Sequence, residues 1–163
     1  MNRLFVVVNS VFTVVIALWL VLGWANSGFA SDPAKATKEE CVAKCKEAAK
    51  LIQQTGLDTA LKQMNDPNGP FIWKDSYVFC FGEEDFKIRA HRVARIVGWN
   101  TKNYRSADGR LIFQEMVKVA NAEGSGWITY DYLRRGEQEA RPKTTYFLKV
   151  PGTDVIVGAG YYE

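Results

Sequence analysis

The chain has 163 residues, 47% of them hydrophobic, with 21 basic and 18 acidic side chains and a formal charge of +3. That length suffices for one domain with a real core. So small a charge, with basic residues scattered among acids, excludes nucleic acid as a partner.

Residues 1–30 read as an export leader. Arg3 gives a positive start, Val11 to Leu22 is apolar apart from Thr13, and Gly28-Phe29-Ala30 places small residues where a signal peptidase cuts. Cleavage is expected after Ala30, before Ser31. The competing reading is an uncleaved anchor, because Leu4 to Gly23 nearly spans a bilayer if Asn9 and Ser10 are tolerated. No cysteine lies near the cut, which argues against a lipoprotein. Without the leader, 20 basic residues face 18 acidic ones, a charge of +2. Residues 31–36 are a polar lead-in, and 37–163 form the single domain.

Thr37-Lys38-Glu39-Glu40 is a capping box, in which Thr37 accepts from the third helical amide and Glu40 reaches back. It opens a helix over Lys38 to Gln54, with Cys41, Cys45, Ala48, Ala49 and Ile52 as the apolar stripe. Gly56 ends it. A second helix covers Leu57 to Met64, with Leu57, Ala60, Leu61 and Met64 on one side. Asn65 to Pro70 is a dense turn signal.

From there the period changes to two. Tyr77 to Phe81 is an aromatic strand, Gly82 to Asp85 a turn, and Phe86 to His91 the hairpin partner. Alternation puts Tyr77, Phe79 and Phe81 on one face and Val78 and Cys80 on the other. Residues 92–110 are irregular, and Leu111 to Ala122 is a helix. Three strands close the chain, over Gly124 to Tyr130, around Tyr146, and over Val155 to Tyr162. Short turns between strands favour an antiparallel sheet, so the fold class is α+β. The long helix packs on one sheet face; the long connection covers the other and leaves a pocket beneath it.

Cys41, Cys45 and Cys80 are the three cysteines, an odd count that leaves at least one thiol unpaired in a monomer. Cys41 and Cys45 sit one helical turn apart, where Cβ directions suit a disulfide poorly. They read as small apolar core residues, with the question of any disulfide left open.

Several segments together resemble the single Cache domains, the extracytoplasmic ligand-sensing modules of bacterial receptors. They are Leu61 to Phe71, Tyr77 to Phe81, Arg89-Ala90-His91, Val97 to Asn100, Asp108 to Ile112, Gly126 to Tyr130, Pro142-Lys143 and Val150 to Asp154. The resemblance covers roughly residues 37–162. It implies a long N-terminal helix on a five-stranded antiparallel, PAS-like sheet, with small organic ligands, often carboxylates, bound between sheet and connection. Cys80 and the run Gly82 to Phe86 depart from the family's usual hairpin, where a turn of Asp and Gly residues is common. A receptor would continue into a membrane helix and a signalling domain, whereas this sequence stops at Glu163. The expectation is therefore a stand-alone sensor or carrier reporting to a separate membrane receptor or kinase.

Lys143 is the first candidate for the site, as a point charge facing a ligand carboxylate. On this reading Lys143→Ala weakens binding and leaves the ligand-free protein's stability nearly unchanged. Tyr77, Phe79, Trp127, Tyr130 and Tyr146 are expected to line the pocket, and His91 to donate to a ligand oxygen. A lone histidine with no Cys-x-x-Cys or clustered carboxylates implies no metal and no cofactor. No Gly-x-Ser-x-Gly elbow or phosphate-binding glycine loop is present, so no enzyme is expected. The functional expectation is a periplasmic or secreted sensor of a small organic acid or similar metabolite. The alternative is a structural module of the same fold that binds none. Ligand identity and oligomeric state are left open.

Overall fold

The structure is a computed structural model that describes residues 34–134 and 137–162. The expected leader, and the cut after Ala30, lie outside the described residues.

The described chain opens with helix α1 over Lys38–Thr55, and Thr37 caps it as the sequence predicts. Thr37 Oγ1 accepts from the Glu40 amide at 3.3 Å, and the Glu40 carboxylate accepts from the Thr37 amide at 3.0 Å. Its buried residues are the five predicted ones, Cys41, Cys45, Ala48, Ala49 and Ile52. Gly56, at φ 81°, turns the chain into α2, Leu57–Met64.

The strands are β1 (Ile72–Trp73), β2 (Ser76–Gly82), β3 (Ile88–Ala90), β4 (Ser125–Tyr132), β5 (Arg141–Lys149) and β6 (Val155–Tyr162). A third helix, α3, covers Ile112–Glu123. The sheet is antiparallel in the order β1-β2-β6-β5-β4, with β3 also paired to β2. It has six strands where five were expected. The extra one, β1, forms a two-residue hairpin with β2 through Lys74 and Asp75. Lys74 takes φ 47° there, and its ammonium pairs with Glu40 at 2.7 Å. The hairpin partner β3 is shorter than predicted because Phe86, at φ 54°, breaks the extended chain, and the β2–β3 register shifts at Cys80 and Phe81.

Each face of the sheet has its own core. Val78, Cys80, Val155, Val157 and Ala159 pack against the α1 stripe. Phe79, Phe81, Ile128, Phe147 and Ile156 pack against Ile112, Met116 and Ala120 of α3. Cys41, Cys45 and Cys80 are all buried and free. Burial pushes the Cys41 thiol up to about 11 and Cys80 up to about 12.

Residues 92–110 roof the α3 face. Their path is pinned first along the hairpin and β3. Ile88 donates to Trp99 O at 2.9 Å, Gly98 to Ile88 O at 2.7 Å, and Thr101 to Phe86 O at 2.8 Å. The far end is pinned to β4, where Ala107 donates to Asp131 O at 3.0 Å and Arg110 Nη1 to Thr129 O at 2.5 Å. Between these anchors Tyr104 packs edge-on to Phe113 of α3, and Gln114 Nε2 donates to Lys102 O at 2.7 Å.

Candidate ligand cavity

A cavity of about 200 Å³ lies beneath this roof. Its floor comes from β2, β4 and β5, through Tyr77, Phe79, Tyr130 and Lys143. Its walls come from the connection and α3. Phe113 sits edge-on to Phe79, Phe81 and Tyr104, with ring centroids 6.3, 5.0 and 5.8 Å away. Cross-strand register explains the floor. Lys143 lies directly opposite Tyr130 on β4 and Tyr162 on β6, so all three share one face. Gly160 makes room for the lysine, since a Cβ built there would lie 2.6 Å from Lys143 Cε.

Lys143 is the only cation buried here, at 2% exposure. Its Nζ sits 4.9, 4.7 and 5.7 Å from the ring centroids of Tyr77, Tyr132 and Tyr162. These ring faces offset part of the cost of removing an ammonium from water. Among the described residues no carboxylate oxygen lies within 4 Å of Nζ. Burial pushes the ammonium down to about 8, aided by the positive charges of Arg92 and Arg134 and opposed by Cys41 and Asp75. At neutral pH it is still mostly charged, and its N–H donors face the cavity.

His91 is buried beside it. The Val93 amide donates to His91 Nδ1 at 2.9 Å, and His91 Nε2 lies 2.7 Å from Tyr77 Oη. Burial first, then the charges of Lys143 and Arg92, push the imidazole down to about 3, so it is neutral. Burial raises the Tyr77 and Tyr130 phenols, keeping both protonated. Tyr130 Oη lies 3.3 Å from Thr145 Oγ1.

Tyr77, His91 and Tyr132 also form the wall of a more polar vestibule. There Arg134 stacks on Tyr162, with 5.1 Å between the guanidinium and the ring centroid, and approaches Asp75 at 3.6 Å. The other Asp75 oxygen accepts from the Ala36 amide at 2.7 Å, which ties the vestibule to the segment just before α1.

The structure gathers Lys143, Tyr77, Phe79, Tyr130 and His91 at the cavity. Trp127 and Tyr146 are not there, which corrects the expectation for both. They pair across β4 and β5 with ring centroids 5.1 Å apart on the α1 face, where Lys38 lies over the Trp127 ring. Alternation carries the reason: Tyr146 is three residues from Lys143 and Trp127 three from Tyr130, so each points away from its neighbour's face. His91 is at the cavity in a different role, because both ring nitrogens are engaged within the protein. Tyr132 was missed, although it stands two residues after Tyr130 and so shares its face. Phe113 lies next to Ile112 on the predicted helix and was not named, and Trp99 comes from the connection, where no period points to a face. Among the described residues, no group of three or more His, Cys, Asp or Glu gathers to hold a metal.

A helix on one face of an antiparallel sheet, with a roofed aromatic cavity on the other, defines a sensory domain of PAS-like build. The chain belongs to the single Cache domain 2 family, whose model matches residues 41–163. Among solved structures it is similar to a periplasmic sensor domain of a chemotaxis protein, at 20% identity and a TM-score of 0.59, covering 76% of this chain and 88% of that one. It is similar also to a Cache chemosensory domain described for carboxylic acid recognition, at 20% identity and TM-score 0.59, covering 74% and 84%. A methyl-accepting chemotaxis protein from Vibrio parahaemolyticus RIMD 2210633 matches at 15% identity and TM-score 0.62, covering 77% and 87%. At these identities the likeness establishes the fold. Cache domains are extracytoplasmic ligand-sensing modules, generally non-catalytic. No helix among the described residues is long and apolar enough to cross a membrane.

Proposed function

We propose that this domain binds a small monocarboxylate under the connection, with its carboxylate on Lys143 and its carbon chain against Phe79 and Phe113. The carrying observation is the buried Lys143 ammonium, which faces the cavity and has no carboxylate partner among the described residues. A module of this fold that bound nothing would gain stability from an apolar side chain there, so the structural-module alternative is the weaker reading. The carboxylic acid recognition of one structural neighbour supports the same ligand class.

Titration calorimetry with acetate, propionate, butyrate, pyruvate and benzoate tests the assignment. At least one acid should bind with micromolar to low millimolar affinity. Absence of heat across the panel, together with an unchanged melting temperature, overturns it.

Occupancy would shift the population of cavity arrangements, and a separate membrane receptor or kinase would read the shift. The contact from the vestibule through Asp75 to the Ala36 amide supports a route toward the N-terminal helix. This role requires export. N-terminal sequencing of protein recovered from the host's extracytoplasmic fraction should begin at Ser31, whereas intact Met1 in membranes would identify an uncleaved anchor.

A further inference from the structure

The order of hydrogen bonds around His91 has a direction. The Val93 N–H can only donate, so His91 Nδ1 must accept and carries no proton. A neutral imidazole then has its proton on Nε2, and that proton points at Tyr77 Oη, 2.7 Å away. Tyr77 Oη therefore accepts from the histidine, and its own hydrogen must go elsewhere. Two destinations exist on this side of the ring, the cavity itself and the neighbouring Tyr132 hydroxyl. If Tyr132 accepts, its own hydrogen turns in its place toward the cavity or toward the vestibule, since Tyr132 lines both. Where the chain opens into the cavity, it ends in an O–H donor beside the Lys143 ammonium, which is also only a donor.

We infer that the Val93–His91–Tyr77 chain makes His91 a specificity-determining positioning residue, which restricts the ligand's head group to one that only accepts hydrogen bonds at both places. The inference rests on the monocarboxylate reading and narrows it. A carboxylate offers an acceptor to Lys143 and another to the tyrosine. The primary amide of the same acid has nearly the same shape but presents N–H groups to one of the two donors. Such a site rejects the amide through unfulfilled donors as well as through charge. His91 itself does not touch the ligand head group in this arrangement; it acts through the hydroxyl whose orientation it sets.

The test compares propionate with propionamide, and benzoate with benzamide, by calorimetry on wild type and three variants. Wild type should prefer each acid by roughly a hundredfold or more. Tyr77→Phe should weaken the acids about tenfold and the amides little. In His91→Leu the Tyr77 hydroxyl is free to turn and accept an amide N–H. The acid-to-amide ratio should therefore fall about tenfold, chiefly because the amides gain. His91→Gln keeps a donor at the Nε2 position and should restore most of the ratio. A purely structural role for His91 would weaken acid and amide alike, so an unchanged ratio in folded His91→Leu overturns the inference. A second measurement does not depend on any variant folding. His91 is the only histidine in the chain, so nitrogen NMR of the ligand-free protein reads a single imidazole. It should show a protonated Nε2 and an unprotonated Nδ1, and the opposite tautomer overturns the inference. Failure of wild type to bind any acid overturns the monocarboxylate reading and the specificity drawn from it, while the imidazole spectrum still decides the direction of the chain.

Discussion

Replacing Lys143 with methionine is expected to raise the melting temperature of the ligand-free domain by several degrees and to weaken monocarboxylate binding by roughly 10- to 150-fold. The two effects have one cause. Burial lowers the Lys143 ammonium from 10.5 to about 8, so folding disfavours the charged form by about 3 kcal/mol. This penalty is full below pH 8, where folded and unfolded chains both carry the proton. It fades between pH 8 and 10.5, where only the unfolded chain holds the proton, and is absent above. Wild-type stability should thus rise with pH across that window through this group, and the methionine variant should lack the rise. Ligand affinity runs the other way, falling as pH rises above 8 and the ammonium loses its proton. Burial also raises the Cys41, Cys45 and Cys80 thiols above their ordinary value of 9.0, so above about pH 9 they oppose this rise equally in both proteins, and the lysine's contribution is read as the difference between wild type and the methionine variant. Thermal melts and calorimetry between pH 6.5 and 9.5 check both slopes. A variant that melts lower than wild type at pH 7 removes the argument. The sequence reading expected a stability-neutral Lys143→Ala because it weighed the lysine as a ligand contact and took no account of its burial.

Gly158→Ala is expected to destabilise the domain by about 1–2 kcal/mol and to abolish measurable acid binding. Gly158 on β6 stands opposite Phe79 on β2 and Phe147 on β5. A Cβ there would meet three atoms of the Phe79 ring at 3.0 Å or less. Removing a glycine from the unfolded chain gains roughly 0.4–1 kcal/mol, but forcing a methyl into a packed site costs roughly 1–3 kcal/mol, so the steric term wins. The Phe79 ring is a wall of the cavity, and the available relief is to move into a space of only about 200 Å³. Combining Gly158→Ala with Phe79→Leu should recover most of the stability. Urea denaturation of the two variants measures it, and a single variant as stable as wild type would show that the strands part without cost.

Much of this arrangement was legible from residue patterns. Thr37 and Glu40 announced the start of α1, and its 3.6-residue stripe named the five buried positions. Alternation sorted Tyr77, Phe79 and Phe81 from Val78 and Cys80, as the two cores show. The β1 hairpin was not legible, because two-residue hairpin turns favour glycine or asparagine where this chain has Lys74. It stands because Glu40 holds Lys74 and Asp75 receives the Ala36 amide, contacts between residues more than thirty apart. The placement of Trp127 and Tyr146 was legible in principle, since three-residue offsets from Tyr130 and Lys143 already separate their faces. The His91–Tyr77 contact joins a strand residue to one just beyond β3, and a bulge shifts the register between them, so no period exposes it.

The three unpaired thiols give the domain a built-in clock. Cys41, Cys45 and Cys80 have no exposed surface, so an alkylating reagent reaches them only in molecules that have opened. Fraying of α1 alone releases Cys41 and Cys45 ahead of Cys80, whereas whole-domain opening releases all three together. An acid bound under the connection, on the opposite side of the sheet from every thiol, slows their alkylation only by making whole-domain opening rarer. The labelling order therefore separates motions of the helix from those of the sheet without any engineered cysteine.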